Sequence, residues 1–188
     1  ASTGDNIYTY IYRCSVKGKV ACETSSDSKQ ELSLGGLVGQ QCYGEINECA
    51  ADVNIEVGSV ANAHYIGGIV GSLGKKELIV KNCISKGNYI SSETTAFMFG
   101  GIIGCAQNVG NQIVNCISLA TISCSDMAGG IIAELNKNSD GGSDRSDIED
   151  KTSKVNGCIA WNDAIIATGT KYGSGAIIGL GGAGEFKN

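Results

Sequence analysis

The sequence predicts an all-β fold, a right-handed parallel β-helix of about five coils with three short strands in each coil. Three observations support this prediction: the composition, an internal repeat and an alternation of side chains. The 188 residues include 28 glycines and no proline, and only 18% are charged. Helix formers are therefore diluted, while the apolar content is too high for disorder. We expect one β-helical domain over residues 1–188.

The charge balance narrows the classes of partner. The chain has 14 basic and 19 acidic residues, a net charge of −5. Nucleic-acid binding requires clustered basic residues, and the nearest approach is the pair Lys75 and Lys76. No run approaches the roughly 18 apolar residues of a membrane span. We therefore expect neither nucleic acid as a partner nor direct membrane insertion.

The internal repeat has two markers, and the first is an aliphatic residue three positions before a cysteine. The pairs are Ile11 with Cys14, Ile46 with Cys49, Val80 with Cys83, Ile113 with Cys116, and Val155 with Cys158. Successive cysteines lie 35, 34, 33 and 42 residues apart. The repeats therefore start near residues 11, 46, 80, 113 and 155. Such a period is typical of solenoids, whose repeats bury their apolar faces only against neighbouring repeats.

The second marker is a G-G-x-x-G box in each repeat. Three boxes are complete: Gly35, Gly36 and Gly39; Gly67, Gly68 and Gly71; and Gly100, Gly101 and Gly104. Two copies have alanine at one position: Gly129 and Gly130 with Ala133, and Gly175 and Gly179 with Ala176. Adjacent glycines before two aliphatic residues favour a bend and then a short buried strand. The last interval is longer because a polar insertion occupies residues 135–154.

The residues after each repeat cysteine alternate with period two, as expected for a strand with one buried face. In the second repeat, small or apolar residues occupy the even offsets: Cys49, Ala51, Val53, Ile55 and Val57. Polar residues occupy the odd offsets: Asp52, Asn54 and Glu56. The same count through the fifth repeat assigns Ala164 and Ile166 to the inward face.

Each coil would contain a short strand leading into the cysteine, a longer strand after it, and a third short strand in the glycine box. The segments between the cysteine strand and the box vary in length and composition, as at 23–34 and 92–99. Loops along one edge of a solenoid are where binding surfaces usually form. We therefore expect the variable segments to lie along one edge.

The repeated G-G-[LI]-[VI]-G box, with an I-x-N-C strand such as that ending at Cys116, resembles the GLUG motif. GLUG repeats occur in tandem in bacterial surface and secreted proteins, including regions beside IgA-peptidase domains and many proteins of gut Bacteroidetes. The resemblance covers residues 11–179. It implies a β-helical, cell-surface, structural or adhesive module and no catalytic residues. Ala133 and Ala176 depart from the motif, as terminal or distorted repeats do.

Nine cysteines allow three interpretations. Five of them hold one position of the repeat, which favours thiols stacked as small hydrophobic side chains in a ladder. Disulfides are an alternative in a secreted protein, pairing Cys14 with Cys22 or Cys42 with Cys49. Zinc would require C-x-x-C pairs or histidines, whereas the sequence has no C-x-x-C and one histidine, His64.

The insertion carries one pattern with metal chemistry. Oxygen-bearing side chains occupy positions 1, 3, 5, 9 and 12 of a loop, with glycine at position 6: Asn136, Asn138, Asp140, Asp144 and Asp147. This spacing matches a calcium loop, because Ca²⁺ takes six to eight oxygen ligands. Asparagine replaces the usual first aspartate, and Asp147 replaces the bidentate glutamate. A solvated acidic loop is the alternative, so calcium is the one candidate cofactor.

Exposed aromatic residues are candidates for ligand binding. Trp161 falls at an outward offset and could stack on a sugar ring or a partner. Tyr8, Tyr10 and Tyr12 alternate near the N-terminus, as in an entering strand or a cap. His64 has no serine, cysteine or carboxylate fixed beside it by a motif, so it lacks the partners of a catalytic base.

The resemblance to GLUG repeats implies a non-enzymatic structural or adhesive module of a cell-surface or secreted bacterial protein, outside the cell, that presents its loops to a host or polymeric ligand. Its partners would be a host or bacterial-surface protein or a glycan, with adjoining domains of the same chain. We therefore expect the chain to be a fragment of a larger surface protein. The alternative is a carbohydrate-active β-helix, a glycan hydrolase or lyase, with acids of neighbouring coils converging in a groove.

Overall fold

The protein is described by a computed structural model, which describes residues 8–22, 32–41, 43–58, 64–74, 78–91, 97–106, 110–135, 153–168, 173–181 and 184–187. All regular structure in these ranges is β-strand. The strands form four sheets in which every pairing is parallel. The predicted fold class is confirmed, a parallel β-helix of about five coils. The right-handed sense stays a prediction, based on the general handedness of parallel crossovers.

The strands follow one another around each coil in the same order. Coil 1 contains β1 (Thr9–Tyr12), β2 (Ser15–Cys22), β3 (Leu32–Gly35) and β4 (Val38–Gln41). Coil 2 contains β5 (Gly44–Asn47), β6 (Ala50–Val57), β7 (His64–Gly67) and β8 (Val70–Leu73). Coil 3 contains β9 (Ile79–Lys81), β10 (Ile84–Ser91), β11 (Phe97–Gly100) and β12 (Ile103–Ala106).

The remaining strands complete the stack. Coil 4 contains β13 (Gln112–Val114), β14 (Ile117–Cys124), β15 (Met127–Gly129) and β16 (Ile132–Leu135). Coil 5 contains β17 (Ser153–Asn156), β18 (Ile159–Ala160), β19 (Ile165–Ala167), β20 (Ser174–Gly175) and β21 (Ile178–Gly181). β22 (Gly184–Lys187) then pairs with β17.

Equivalent strands of successive coils stack into the four sheets, which we name in chain order. Sheet A contains β1, β5, β9, β13, β17 and β22, and sheet B contains β2, β6, β10, β14 and β18, with β19 also paired to β14. Sheet C contains β3, β7, β11, β15 and β20, and sheet D contains β4, β8, β12, β16 and β21. The glycine boxes stack in register, since Gly67 pairs with both Gly35 and Gly100.

The prediction of three strands per coil is wrong, because the glycine box joins two strands instead of forming one. In each coil the strand of sheet C ends at the first box glycine, and the strand of sheet D begins three residues later, as at Gly67 and Val70. A Cβ atom at Gly67 would overlap the carbonyl oxygen of Val70, and the same overlap recurs in the other boxes. The chain therefore turns within the box, and only glycine permits this close approach.

The interior is a continuous apolar core. Sheet A contributes one aliphatic residue from each coil, of which Ile46, Val80 and Ile113 are fully buried. Phe99 and Tyr89 are the largest side chains that coil 3 buries. A second buried cluster lies on the other side of sheets C and D, where Tyr65, Met98, Cys105, Met127 and Ala133 pack together. No coil buries its apolar face without its neighbours, which is the basis of solenoid stability.

The second glycine of the box is required only where another coil follows. A Cβ at Gly36 would overlap the carbonyl oxygen of Gly68, and one at Gly68 would overlap that of Gly101. The same relation continues to Ala176, whose carbonyl oxygen lies against Gly130. Ala176 is exposed and directly follows β20, the outermost strand of sheet C among the described residues. Its methyl group therefore meets no backbone of a further coil there.

Coil 5 interrupts the alternation of sheet B. Ser118 pairs with Ala160, but Ile122 pairs with Ile165, so coil 5 has one extra residue between these pairs. Such an extra residue is a bulge, which reverses which side chains point inward. The assignment of Ala164 and Ile166 to the inward face is therefore wrong beyond the bulge, and Ile166 is 48% exposed.

The variable connections lie between sheets B and C. They comprise residues 23–31, 58–63, 92–96, 125–126 and 168–173. The polar insertion instead joins sheet D of coil 4 to sheet A of coil 5, between β16 and β17. Because the coils on both sides stay in register, neither kind of segment changes the core.

Candidate functional site

The outer face of sheet B changes character along the stack. At one outward position the side chains run from Lys17 and Asp52 in coils 1 and 2, through Lys86, to Leu119 and Trp161 in coils 4 and 5. Trp161 is 75% exposed, as expected from its outward offset. Ile84, Ile159 and Ile166 are exposed on the same face. The sheet is thus charged at one end and apolar at the other.

Lysines of coil 1 neutralise the outward acids at the charged end. Lys17 Nζ lies 3.7 Å from Asp52 Oδ2, and Lys19 Nζ lies 2.6 Å from Glu56 Oε2. A shallow depression beside them is lined by Ser15, Ala50 and Ile84 among others, where the small side chains leave space next to longer ones. Asp52 and Glu56 therefore each pair with a lysine of coil 1.

A row of three tyrosines stands on the outer face of sheet A, along β1. Tyr8, Tyr10 and Tyr12 are each about half exposed. The ring centroids of Tyr8 and Tyr10 lie 6.5 Å apart with planes 19° from parallel, and those of Tyr10 and Tyr12 lie 6.1 Å apart. Tyr43, just before β5, places its ring centroid 5.8 Å from that of Tyr8. We call Tyr8, Tyr10 and Tyr12 the tyrosine row.

A small surface cavity adjoins the end of the tyrosine row, where the chain turns from sheet A to sheet B. Tyr12, Arg13, Asn47 and Glu48 line it. Arg13 Nε donates to Glu48 Oε2 at 2.7 Å. This hydrogen bond and the negative charge of Glu48 raise the pKa of Arg13. We call these four residues the corner cavity.

The turn from sheet A to sheet B places one residue per coil in the left-handed region of backbone conformation. This corner position, immediately before the repeat cysteine, has φ of 53° at Arg13, 56° at Glu48, 52° at Asn82, 52° at Asn115 and 61° at Gly157. Glycine and asparagine tolerate this region better than other residues do. The asparagines also join coils, since Asn82 Nδ2 donates to Asn47 Oδ1 at 2.8 Å.

The repeat cysteines form a column of thiols beside the corner positions. Cys49, Cys83, Cys116 and Cys158 are buried, and Cys14 is exposed at the end of the stack. Each buried thiol lies near the carbonyl oxygen two residues before it and near one from the preceding coil, as Cys116 Sγ does at 3.4 Å from Val114 and 3.6 Å from Val80. Side-chain hydrogen bonds with Cys158 and Cys83 raise the pKa of Cys116, and the one with Cys116 lowers the pKa of Cys83. All eight cysteines in the described part of the chain are free thiols, including Cys14 and Cys22, while Cys42 lies outside it.

The predicted calcium loop falls outside the described residues, which resume at Ser153 after Leu135. In the part of the chain that is described, no three His, Cys, Asp or Glu side chains lie close enough together to hold a metal ion. His64 is described only as backbone, the first residue of β7. None of the described segments is a helix long and apolar enough to cross a membrane.

Comparison with known proteins returned no relative. No family model matches the chain, and neither a curated protein nor a solved structure matches it. The resemblance to GLUG repeats therefore stays a prediction.

Sequence reasoning missed the corner cavity, although a signal for it was present. The residue before the repeat cysteine is Asn82, Asn115 or Gly157 in coils 3 to 5, but Arg13 or Glu48 in coils 1 and 2. A position that repeats asparagine or glycine predicts a left-handed turn. The two departures from that rule could have identified the corner.

Proposed function

We propose that the protein is a non-enzymatic structural and adhesive repeat module of a cell-surface or secreted protein. The observation that carries this proposal is a closed apolar core, stacked in register from coil to coil, with exposed aromatic side chains on the outer faces. Such a stack holds its outer residues at fixed spacings. Any partner, whether a surface protein or a glycan, would bind on those outer faces.

The pairing of the outward acids supports a non-enzymatic function over a glycan-cleaving one. Asp52 and Glu56 each contact a lysine of the preceding coil, and Glu45 Oε1 lies 3.0 Å from Lys81 Nζ of the following coil. A glycoside hydrolase needs two carboxyl groups facing one bond, one of them with a raised pKa. Here Asp52, Glu56 and Glu45 each face a lysine, which is not the arrangement that this chemistry needs.

A surface-retention assay combined with a cleavage assay tests the proposal. Purified protein would be incubated with bacterial cells, with mucin-coated beads and with uncoated beads, and the bound fraction would be measured. Soluble polysaccharides would be incubated in parallel and analysed for new reducing ends and for unsaturated products. We expect retention on a biological surface above that on uncoated beads, without cleavage. Cleavage products, or equal retention on all surfaces, would contradict the proposal.

A further inference from the structure

On the outer face of sheet A, three exposed tyrosines lie on coil 1, and Tyr43 lies just before the strand of coil 2. The outward positions that pair with Tyr10 and Tyr12 hold Glu45 and Asn47 in coil 2, then Ile79 and Lys81 in coil 3. The tyrosines face away from the core, so the fold does not require them. The three rings, with centroids 6.5 and 6.1 Å apart, form an aromatic strip along β1 and the residue before it.

The corner cavity at the end of this strip contains two residues of types that rarely adopt the left-handed backbone conformation. Coils 3 to 5 place asparagine or glycine at the corner position, whereas coils 1 and 2 place Arg13 and Glu48 there with φ of 53° and 56°. Bulkier residues in left-handed conformation cost free energy, and such departures cluster at functional sites. The strained pair and the tyrosine row are independent features, yet both Arg13 and Glu48 line a cavity with Tyr12.

The charges of the corner cavity indicate which ligand it suits. Arg13 and Glu48 neutralise each other across 2.7 Å, so the cavity carries no net charge. It still offers guanidinium and amide donors and carboxylate and amide acceptors. Asn47 accepts from Asn82 through Oδ1, and its Nδ2 donates to no atom among the described residues. An uncharged ligand rich in hydroxyl groups matches this set better than an anion or a cation does.

We propose that the tyrosine row and the corner cavity together bind a neutral glycan chain. Successive sugar rings would lie along Tyr8, Tyr10 and Tyr12, because the apolar C–H face of a pyranose packs on an aromatic ring. The hydroxyl groups of the terminal ring would bond to Arg13, Asn47 and Glu48. This inference rests on the proposed adhesive function and specifies its site and class of ligand. A protein partner, which tyrosines also favour, is the alternative outcome of the test.

The test is isothermal titration of the full chain with hexasaccharides derived from cellulose, chitin and mannan, and with an anionic hexasaccharide derived from heparin. We expect at least one neutral hexasaccharide to bind and the anionic one to bind no better. Tyr10→Ala should weaken binding at least about tenfold, and Tyr10→Phe should restore most of the affinity because it keeps the ring. Glu48→Asn, which relieves the corner, should weaken binding while raising the melting temperature.

Matched variants distinguish binding at this site from binding at other exposed apolar side chains and from loss of folding. Leu180→Ala removes an exposed apolar side chain of coil 5 and should leave the affinity unchanged. Because Tyr10 is 60% exposed, its variants should melt within a degree or two of the parent protein. Binding that is lost in Trp161→Ala but kept in Tyr10→Ala would overturn the assignment to this site. If no neutral hexasaccharide binds, the class of ligand is overturned, even if surface retention shows that the adhesive function stands.

Discussion

The inner coils and the two terminal coils of the stack follow different rules, although their sequences share one pattern. In coils 2 to 4 the repeat cysteines are buried and the second box position is always glycine. Coil 1 exposes Cys14, and coil 5 has Ala176 in its box and a bulge in sheet B. This difference shows that most of the repeat pattern maintains contacts between neighbouring coils. The pattern is therefore less strict in the coils at the ends of the described stack.

The largest expected effect tests this dependence at the second box glycine. In Gly68→Ala the new methyl group would overlap the carbonyl oxygen of Gly101 and lie 2.6 Å from Ser85 Cβ. This overlap would force coils 2 and 3 apart, so we expect the free energy of unfolding to fall by about 3 kcal/mol. The matched change Ala176→Gly in coil 5 should cost less than about 1 kcal/mol. Urea unfolding measures both, and equal losses would refute the contrast between inner and terminal coils.

The next largest effect is on the pH dependence of stability, and it compares two cysteines at equivalent positions of sheet B. Cys124 in coil 4 and Cys22 in coil 1 both end their strands. Burial raises the pKa of Cys124 from 9.0 to about 11, and it also raises the pKa of the less buried Cys22. A thiol with a raised pKa stabilises the fold fully below its unfolded pKa, and this contribution is lost as the pH rises through the folded pKa.

We therefore expect unfolding free energy to fall by about 2 kcal/mol between pH 9 and pH 11 through Cys124. The fall should be smaller by that amount in Cys124→Ala, whereas Cys22→Ala should keep most of the parent's pH dependence. Denaturant titrations at several pH values measure this. A Cys124→Ala protein with an unchanged slope would show that the thiol titrates normally in the folded state.

The smallest expected change in stability comes from exchanging corner residues between coils. Glu48→Asn places a residue that tolerates the left-handed conformation at φ of 56° and should stabilise the fold by about 1 kcal/mol. The reverse change, Asn115→Glu in coil 4, should destabilise it by about the same amount. Thermal unfolding measures both changes. If Glu48→Asn is destabilising, then coil 2 does not store strain at its corner.

The sequence sufficed to predict the period, the stacking and the inward face, because these follow from spacing and alternation alone. It did not suffice for the strand count, because G-G-x-x-G looks like one bend before one strand. The strand boundaries, and the overlap of a Gly67 Cβ with the Val70 carbonyl oxygen, show that the turn lies inside the box. The bulge before Ile165 was missed because an extra residue leaves no mark in an apolar run. There Asn162 Nδ2 bonds to Ser118 Oγ at 2.9 Å and to the Ala120 carbonyl oxygen at 2.6 Å.

The candidate sites also differ in how far the sequence alone predicts them. Trp161 could be assigned to the surface because its offset follows from the repeat. The tyrosine row was visible as an alternation, but the corner cavity beside it was not. Its four residues come from two coils, with Tyr12 and Arg13 next to Asn47 and Glu48. Sites of a solenoid join residues one period apart, so their geometry appears only when the register is known.

In coil 4 only two residues connect the strand of sheet B to the strand of sheet C. β14 ends at Cys124, and β15 begins at Met127. Segment 23–31 spans the same step in coil 1 with several times that length. Two residues are therefore enough to connect sheet B to sheet C, so this step is a position where chain can be added or removed between coils. Peptides of unrelated sequence could be exchanged there while the core stays as it is, which would make the coil stack a carrier for engineered display.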